Sequence, residues 1–194
     1  YDAKGSALFE DITRLPEYYP TRTEQAIMSA HAPAIAQAIG NQCTVIELGA
    51  GNCQKARSLC ELIQPLAYLA VDISEAFLQQ AVASMREAFP SLAIHVLAFD
   101  LTADIALPTT LPAQRRLVFY PGSSIGNFDP PHALALLSRM RGLMNEDGAL
   151  LIGVDLVKDT AVLNAAYDDA AGTTAAFNLN LLDHLNRLIG SDFD

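Results

Sequence analysis

The chain's 194 residues suffice for one domain with its own core, and a composition 51% hydrophobic with mean hydropathy +0.22 excludes a disordered tail. A formal charge of −10 and a pI near 4.7 give a surface field that repels phosphate backbones, which excludes nucleic acid as a partner. No apolar run reaches the roughly 18 residues of a membrane span, so no membrane contact is expected.

The opening, Tyr1-Asp2-Ala3-Lys4, lacks the charged and apolar regions of a signal peptide. Cys43, Cys53 and Cys60 are odd in number and lack paired metal spacing. That usage suits a reducing cytoplasm, where Cys53 and Cys60 would share one helix face as small core residues.

In chain order, Tyr18-Tyr19 precede Pro20, which disfavours helix at Tyr19 and predicts an extended residue there. A helix is then expected from Thr21 to Ile39, with Thr21 as N-cap and Glu24 closing a capping box. Tyr18 and Tyr19 read equally as a hydrophobic plug. Val45-Ile46-Glu47-Leu48 is a buried strand running into Gly49-Ala50-Gly51, and a helix follows over 54–63. Two glycines one residue apart permit positive φ and let a ligand lie against the backbone, while the helix N-terminus points its N–H groups at the same spot. A plain strand-to-helix turn explains the same residues. A dinucleotide fingerprint needs a third glycine, and a phosphate loop needs Gly-Lys-Ser/Thr; Lys55-Ala56 supplies neither.

Tyr68 to Ile73 is a second strand closed by Asp72, placed where a doubly wound sheet offers a carboxylate to ribose hydroxyls. Its competing role is to cap the helix expected over 75–89, which carries Phe77, Leu78, Val82 and Met85. Ala93 to Asp100 is a third strand, in which His95 reads as a half-buried strand residue. Arg116 to Tyr120 is a fourth, ending in Pro121-Gly122-Ser123-Ser124-Ile125-Gly126-Asn127, a run of small residues suited to a ligand loop at the carboxyl edge. Asp129-Pro130 opens a helix with Leu134, Leu137, Met140 and Leu143 expected inward, and Ala149 to Asp155 is the fifth strand. Helix is expected again from Ala161, with a break near Gly172 and a longer segment over 175–188.

Alternating strands and helices predict a doubly wound parallel α/β sheet. The form Glu47-x-Gly49-x-Gly51 resembles motif I of methyltransferases that use S-adenosylmethionine (SAM). Read with Asp2 to Glu24, with Lys55, with Gly122 to Asn127, with Gly153 to Asp159, with Ala166 to Gly172 and with Ala176-Phe177-Asn178, the whole chain resembles the histidine Nα-methyltransferases of ergothioneine biosynthesis. That resemblance implies a Rossmann-like class I fold of seven strands with an N-terminal helical segment. Five strands are present, so residues 1–194 are expected to be one truncated domain, with the fifth strand an open edge prone to self-association and the full-length protein a monomer.

The resemblance further implies transfer of three methyl groups from SAM to the α-amine of histidine. Gly49, Gly51, Lys55, Asp72, Asp100 and Leu101 would hold SAM. Tyr18, Asn127 and Tyr167 would hold the amino acid, and Tyr1 would flank the methylated nitrogen, giving Tyr1 and Asn127 the catalytic places. The family's imidazole-recognising glutamate and serine would lie beyond Asp194, so little histidine turnover is expected of the piece alone. Three alternatives stand beside this reading: a relative acting on another amino acid, such as the tryptophan-derivative enzymes of ergot pathways; a SAM-binding module without activity; and, more distantly, a dinucleotide oxidoreductase. No metal is expected, because no His/Cys/Asp/Glu cluster has ligand spacing.

Overall fold

The computed structural model describes residues 2–101, 103 and 105–193. Two compact units emerge, one of Tyr1–Thr23 with Leu156–Asp194 and one of Glu24–Asp155.

The larger unit is an α/β sheet. Among the described residues five strands, β1 (Thr44–Leu48), β2 (Ala67–Asp72), β3 (Ala93–Ala98), β4 (Arg116–Tyr120) and β5 (Ala149–Ile152), pair in parallel in the order β3-β2-β1-β4-β5. Chain order reverses at β1, whose partners are β2 on one side and β4 on the other. Ligands of such sheets bind at that switch point, outside the carboxyl ends of the strands. β1 is buried at every position and β2 at all but its terminal Asp72, as a sheet covered on both faces requires.

The period-2 alternation sorts side chains into two cores. Val45, Tyr68, Ala70, Leu117 and Phe119 pack with Ile39 of α3 (Ala32–Ile39), Leu59 and Cys60 of α4 (Gln54–Ile63), and Leu78, Val82 and Met85 of α5 (Glu75–Ala88). Ile46, Leu48, Leu69, Val71, Val118 and Tyr120 face the other way, toward Leu136, Met140 and Leu143 of α6 (Pro130–Leu143). On α6 the inward stripe is thus 136, 140 and 143, and Leu134, expected inward, is 66% exposed. It lies off the i, i+4, i+7 stripe that the sheet selects. All three cysteines are buried free thiols, and Cys53 and Cys60 are the small core residues expected.

Near the N-terminus the structure departs from expectation. Residues Ala3–Arg14 form a helix, α1, where the family resemblance implies an N-terminal helical segment without bounds. The next helix, α2 (Tyr19–Ala30), starts at Tyr19 rather than capping at Thr21. Pro20 falls in its first turn, where a missing N–H costs nothing. Arg22 supplies the turn before it with hydrogen bonds to the carbonyls of Leu15 (2.7 Å), Tyr18 (3.1 Å) and Pro16 (2.5 Å). That anchoring outweighs the weak bias of proline against a helical predecessor. The predicted single helix to Ile39 also breaks at His31, because Pro33, with no N–H to continue α2, sits in the first turn of α3, which starts at Ala32.

In the smaller unit α1 packs on α8 (Thr173–Ile189), while α7 (Thr160–Tyr167) brings Ala166 against Ile12 and Tyr18. Asp2 caps α1 by accepting from the Gly5 N–H at 2.8 Å. It also accepts from Asn180 Nδ2 at 2.8 Å and from Arg187, both on α8. These donors hold the Asp2 carboxyl down, from 3.8 to about 2. A depressed carboxylate contributes stability above its unfolded value and loses it as pH falls through the folded one. Acid unfolding of the smaller unit, followed by circular dichroism, is therefore expected to set in as pH drops from 3.8 toward 2. Asp2→Asn should remove that acid-sensitive component, leaving a flatter profile over the same interval.

Candidate functional site at the carboxyl edge of the sheet

Between Leu48 and Gln54 the backbone turns from β1 into α4 through three positive φ angles, at Gly49 (71°), Gly51 (52°) and Cys53 (58°). A Cβ built on Gly49 or Gly51 would meet no atom within 4 Å, so open space lies directly over the backbone there. Those glycines serve chain conformation and leave a cradle that a side chain would fill.

The turn is fastened to β2. Gly49 and Ala50 donate to the Val71 carbonyl at 2.9 and 3.0 Å, and Gly51 donates to Asp72 Oδ2 at 2.9 Å. Asp72 Oδ1 accepts from Ser74 N at 3.3 Å at the start of α5. Of the two sequence readings of Asp72, the capping one has a visible bond at the helix start, and the same carboxylate also fastens the glycine turn. Phe99 donates to the Asp72 carbonyl at 2.9 Å, which sets the end of β3 beside it. Asp100, the residue after Phe99, is exposed, and the Leu101 carbonyl accepts from Arg139 at 3.4 Å.

On the β4 side, Gly122 (φ 81°) and Ser123 (φ 56°) turn the chain into a short 3₁₀ segment, Ser124–Asn127, with Asn127 exposed at its end. Ser123 Oγ accepts from the Asp155 N–H at 2.9 Å. Lys55, in the first turn of α4, is ion-paired with Glu24 at 2.6 Å. Glu24 also accepts from the Gly122 N–H at 2.7 Å, in place of the capping role expected of it.

Tyr18 and Tyr167 belong to the smaller unit. Their rings meet edge to face with centroids 5.8 Å apart, Tyr18 buried and Tyr167 53% exposed. The plug reading of Tyr18 holds in that it completes the core with Ile12 and Ala166. Tyr19 carries the Lys158 ammonium over its ring at 4.6 Å. Tyr1, expected beside the reacting nitrogen, lies outside the described residues.

Beneath the cradle sits a buried acid. Glu47 is 1% exposed and accepts from the Tyr68 hydroxyl at 2.5 Å. Burial drives its carboxyl from 4.5 up to about 8, against the stabilising bond from Tyr68. Burial likewise pushes the Cys53 thiol up to about 12, so this cysteine is inert rather than nucleophilic. Sequence reasoning saw Glu47 only as the acid of a motif; Tyr68 pairs with Val45 across the strands, which puts its side chain on the Glu47 face. Among the described residues no group of His, Cys, Asp and Glu could hold a metal, and no helix is long and apolar enough to cross a membrane.

A group with a raised folded value contributes stability below its unfolded value and loses it as pH rises through the folded one. The stability of the unsubstituted chain minus that of Glu47→Gln should therefore fall between pH 4.5 and 8. The slope should reach at most about 1.4 kcal/mol per pH unit. Urea titrations at several pH values measure it, and parallel curves for the two proteins would remove Glu47 as a titrating group.

A family model described as "Histidine-specific methyltransferase, SAM-dependent" matches residues 1–194. Histidine N-alpha-methyltransferase of Mycolicibacterium smegmatis is 41% identical over the whole of this chain, and that of Mycobacterium tuberculosis is 37% identical. The chain spans 61% of the length of each. Among solved structures, a putative SAM-dependent methyltransferase from Methanococcus maripaludis superposes with a TM-score of 0.55 at 16% identity, covering 98% of this chain and 86% of its own. That likeness establishes the fold, a class I methyltransferase sheet, in agreement with the sequence expectation.

Proposed function

The chain belongs to the SAM-dependent, histidine-specific methyltransferase family, and from that premise we propose that the protein carrying it methylates the α-amine of L-histidine to the trimethylated betaine of ergothioneine biosynthesis. The observation that carries this reading is the match of a histidine-specific family model to all 194 residues. The cradle supports it: open space above Gly49 and Gly51, a carboxylate at the end of β2 and an ammonium at the start of α4 fit a nucleoside with an amino-acid tail.

SAM supplies an electrophilic methyl group on a sulfonium whose departure needs no proton. The protein's work is then to bind, orient and desolvate. Asp72 accepts from the ribose hydroxyls while holding the Gly51 N–H. Asp100 and the Leu101 backbone meet the adenine edge. Lys55 offers its ammonium to the carboxylate, the only anionic group SAM has. The family resemblance assigns the amino-acid substrate to Asn127 of the larger unit and to Tyr18 and Tyr167 of the smaller one. The attacking amine must be neutral, since an α-ammonium has no lone pair, and amide and phenol oxygens can orient it without a strong base. We place the reaction in the cytoplasm, where the three buried thiols stay reduced.

The test is a methylation assay of the full-length protein with SAM across free amino acids. Histidine should be turned over in preference to all others; preference for another amino acid would retain the methyltransferase and remove the substrate. Asp72→Ala removes an acceptor and also frees the Gly51 N–H. It should weaken S-adenosylhomocysteine binding about tenfold or more, or ~1.4 kcal/mol, by calorimetry.

A further inference from the structure

At the carboxyl edge of the sheet, Glu24 lies in a slot that two glycines keep open. Its Oε1 accepts from the Gly122 N–H at 2.7 Å, and its Oε2, shut off from water, faces the Lys55 ammonium at 2.6 Å. A Cβ on Gly153, just past β5, would overlap Glu24 Oε1, and one on Gly122 would fall 3.0 Å from Lys55 Nζ. Gly153 has no positive φ, so its backbone does not call for glycine. What calls for it is the carboxylate. Chain segments far apart in sequence, α2, the start of α4 and the ends of β4 and β5, thus converge on one acidic side chain.

We propose that Glu24 is a positioning residue for the cofactor's amino-acid end, acting through Lys55. The inference rests on the SAM reading above and deepens it. A lysine ammonium sits on a flexible four-carbon stem and loses substantial rotamer freedom when it grips a ligand. Pairing with Glu24 fixes the stem of Lys55 before any ligand arrives, at a point between the glycine turn and Gly122. The ammonium has three donors and Glu24 occupies one side of it, leaving others for a carboxylate. Because Glu24 is itself tied to Gly122, the same carboxylate aligns the turn after β4 that leads to Asn127. Preorganisation of this kind strengthens binding without a new contact to the ligand.

The nucleoside end of the cofactor does not depend on this device, since its residues, Asp72, Asp100 and Leu101, lie on the β2–β3 side. That separation gives the test. Calorimetry on the full-length protein compares S-adenosylhomocysteine with 5′-methylthioadenosine, which keeps the nucleoside and lacks the amino-acid end. Glu24→Gln retains an oxygen for the Gly122 N–H and loses the charge that holds Lys55. It should weaken S-adenosylhomocysteine about fivefold or more and leave methylthioadenosine unchanged.

Gly153→Ala, which keeps both charged groups and displaces the carboxylate, should do the same. In the double variant Glu24→Gln/Lys55→Met the loss should equal that of Lys55→Met alone, because the substituted amide keeps the Gly122 bond and the charge of Glu24 reaches the cofactor through Lys55. Unchanged S-adenosylhomocysteine affinity in Glu24→Gln, or losses that multiply in the double variant, would overturn the inference while leaving the SAM reading intact. Failure of the unsubstituted protein to bind either nucleoside would remove both.

Discussion

The short path from β1 to α4 is the constraint on which the rest of the larger unit depends. Between Leu48 and Gln54 the chain leaves the centre of the sheet and enters a helix through three residues of positive φ, and hydrogen bonds to the end of β2 fasten it there. A non-glycine residue in the left-handed region is uncommon, and Cys53 is held in it by burial and by its N–H bond to the Ala50 carbonyl at 2.8 Å. Because Asp72 fastens Gly51 and Ser74 together, the starts of α4 and α5 are set by one side chain. Two helix N-termini and an open backbone surface thereby meet at the topological switch point, where an α/β sheet binds its ligand.

Charge is arranged around that point with opposite consequences at different depths. Glu47, fully enclosed under the turn, is driven toward its neutral form by lack of solvent. Glu24, nearer the surface, instead faces the Lys55 ammonium at 2.6 Å, and that pairing is what lets it order Lys55. The two glutamates thus differ through burial and partner, not through residue type.

Much of this was legible in the sequence where a local rule decides the outcome. The five strands were visible because apolar runs ended in acids or glycines, and Gly49, Gly51 and Asp72 because glycine spacing and strand-end acids are local features. What stayed hidden depends on partners distant in the chain. Glu24 read as a capping-box acid, since its spacing from Thr21 fits that motif, but its partners Lys55, Gly122 and Gly153 are brought to it only by the fold. The helix start at Tyr19 was missed because Arg22 bonds to three carbonyls that no spacing rule points to. Leu134 and Leu136 are both plausible inward leucines until the sheet selects a stripe. Asn127 and Tyr167 came from family resemblance; both are exposed, and no packing rule picks them out.

The central claim is that the glycine turn, with the carboxylate that holds it, is a cofactor cradle rather than a plain strand-to-helix connection. Amide hydrogen exchange with and without saturating S-adenosylhomocysteine tests it most directly, because a ligand against the backbone slows exchange where it lies. The account predicts protection over residues 49–55 and at the ends of β2 and β3, near Asp72 and Asp100, with little change at the amino ends of the strands. Protection confined to other segments, with residues 49–55 exchanging as in the free protein, would contradict it.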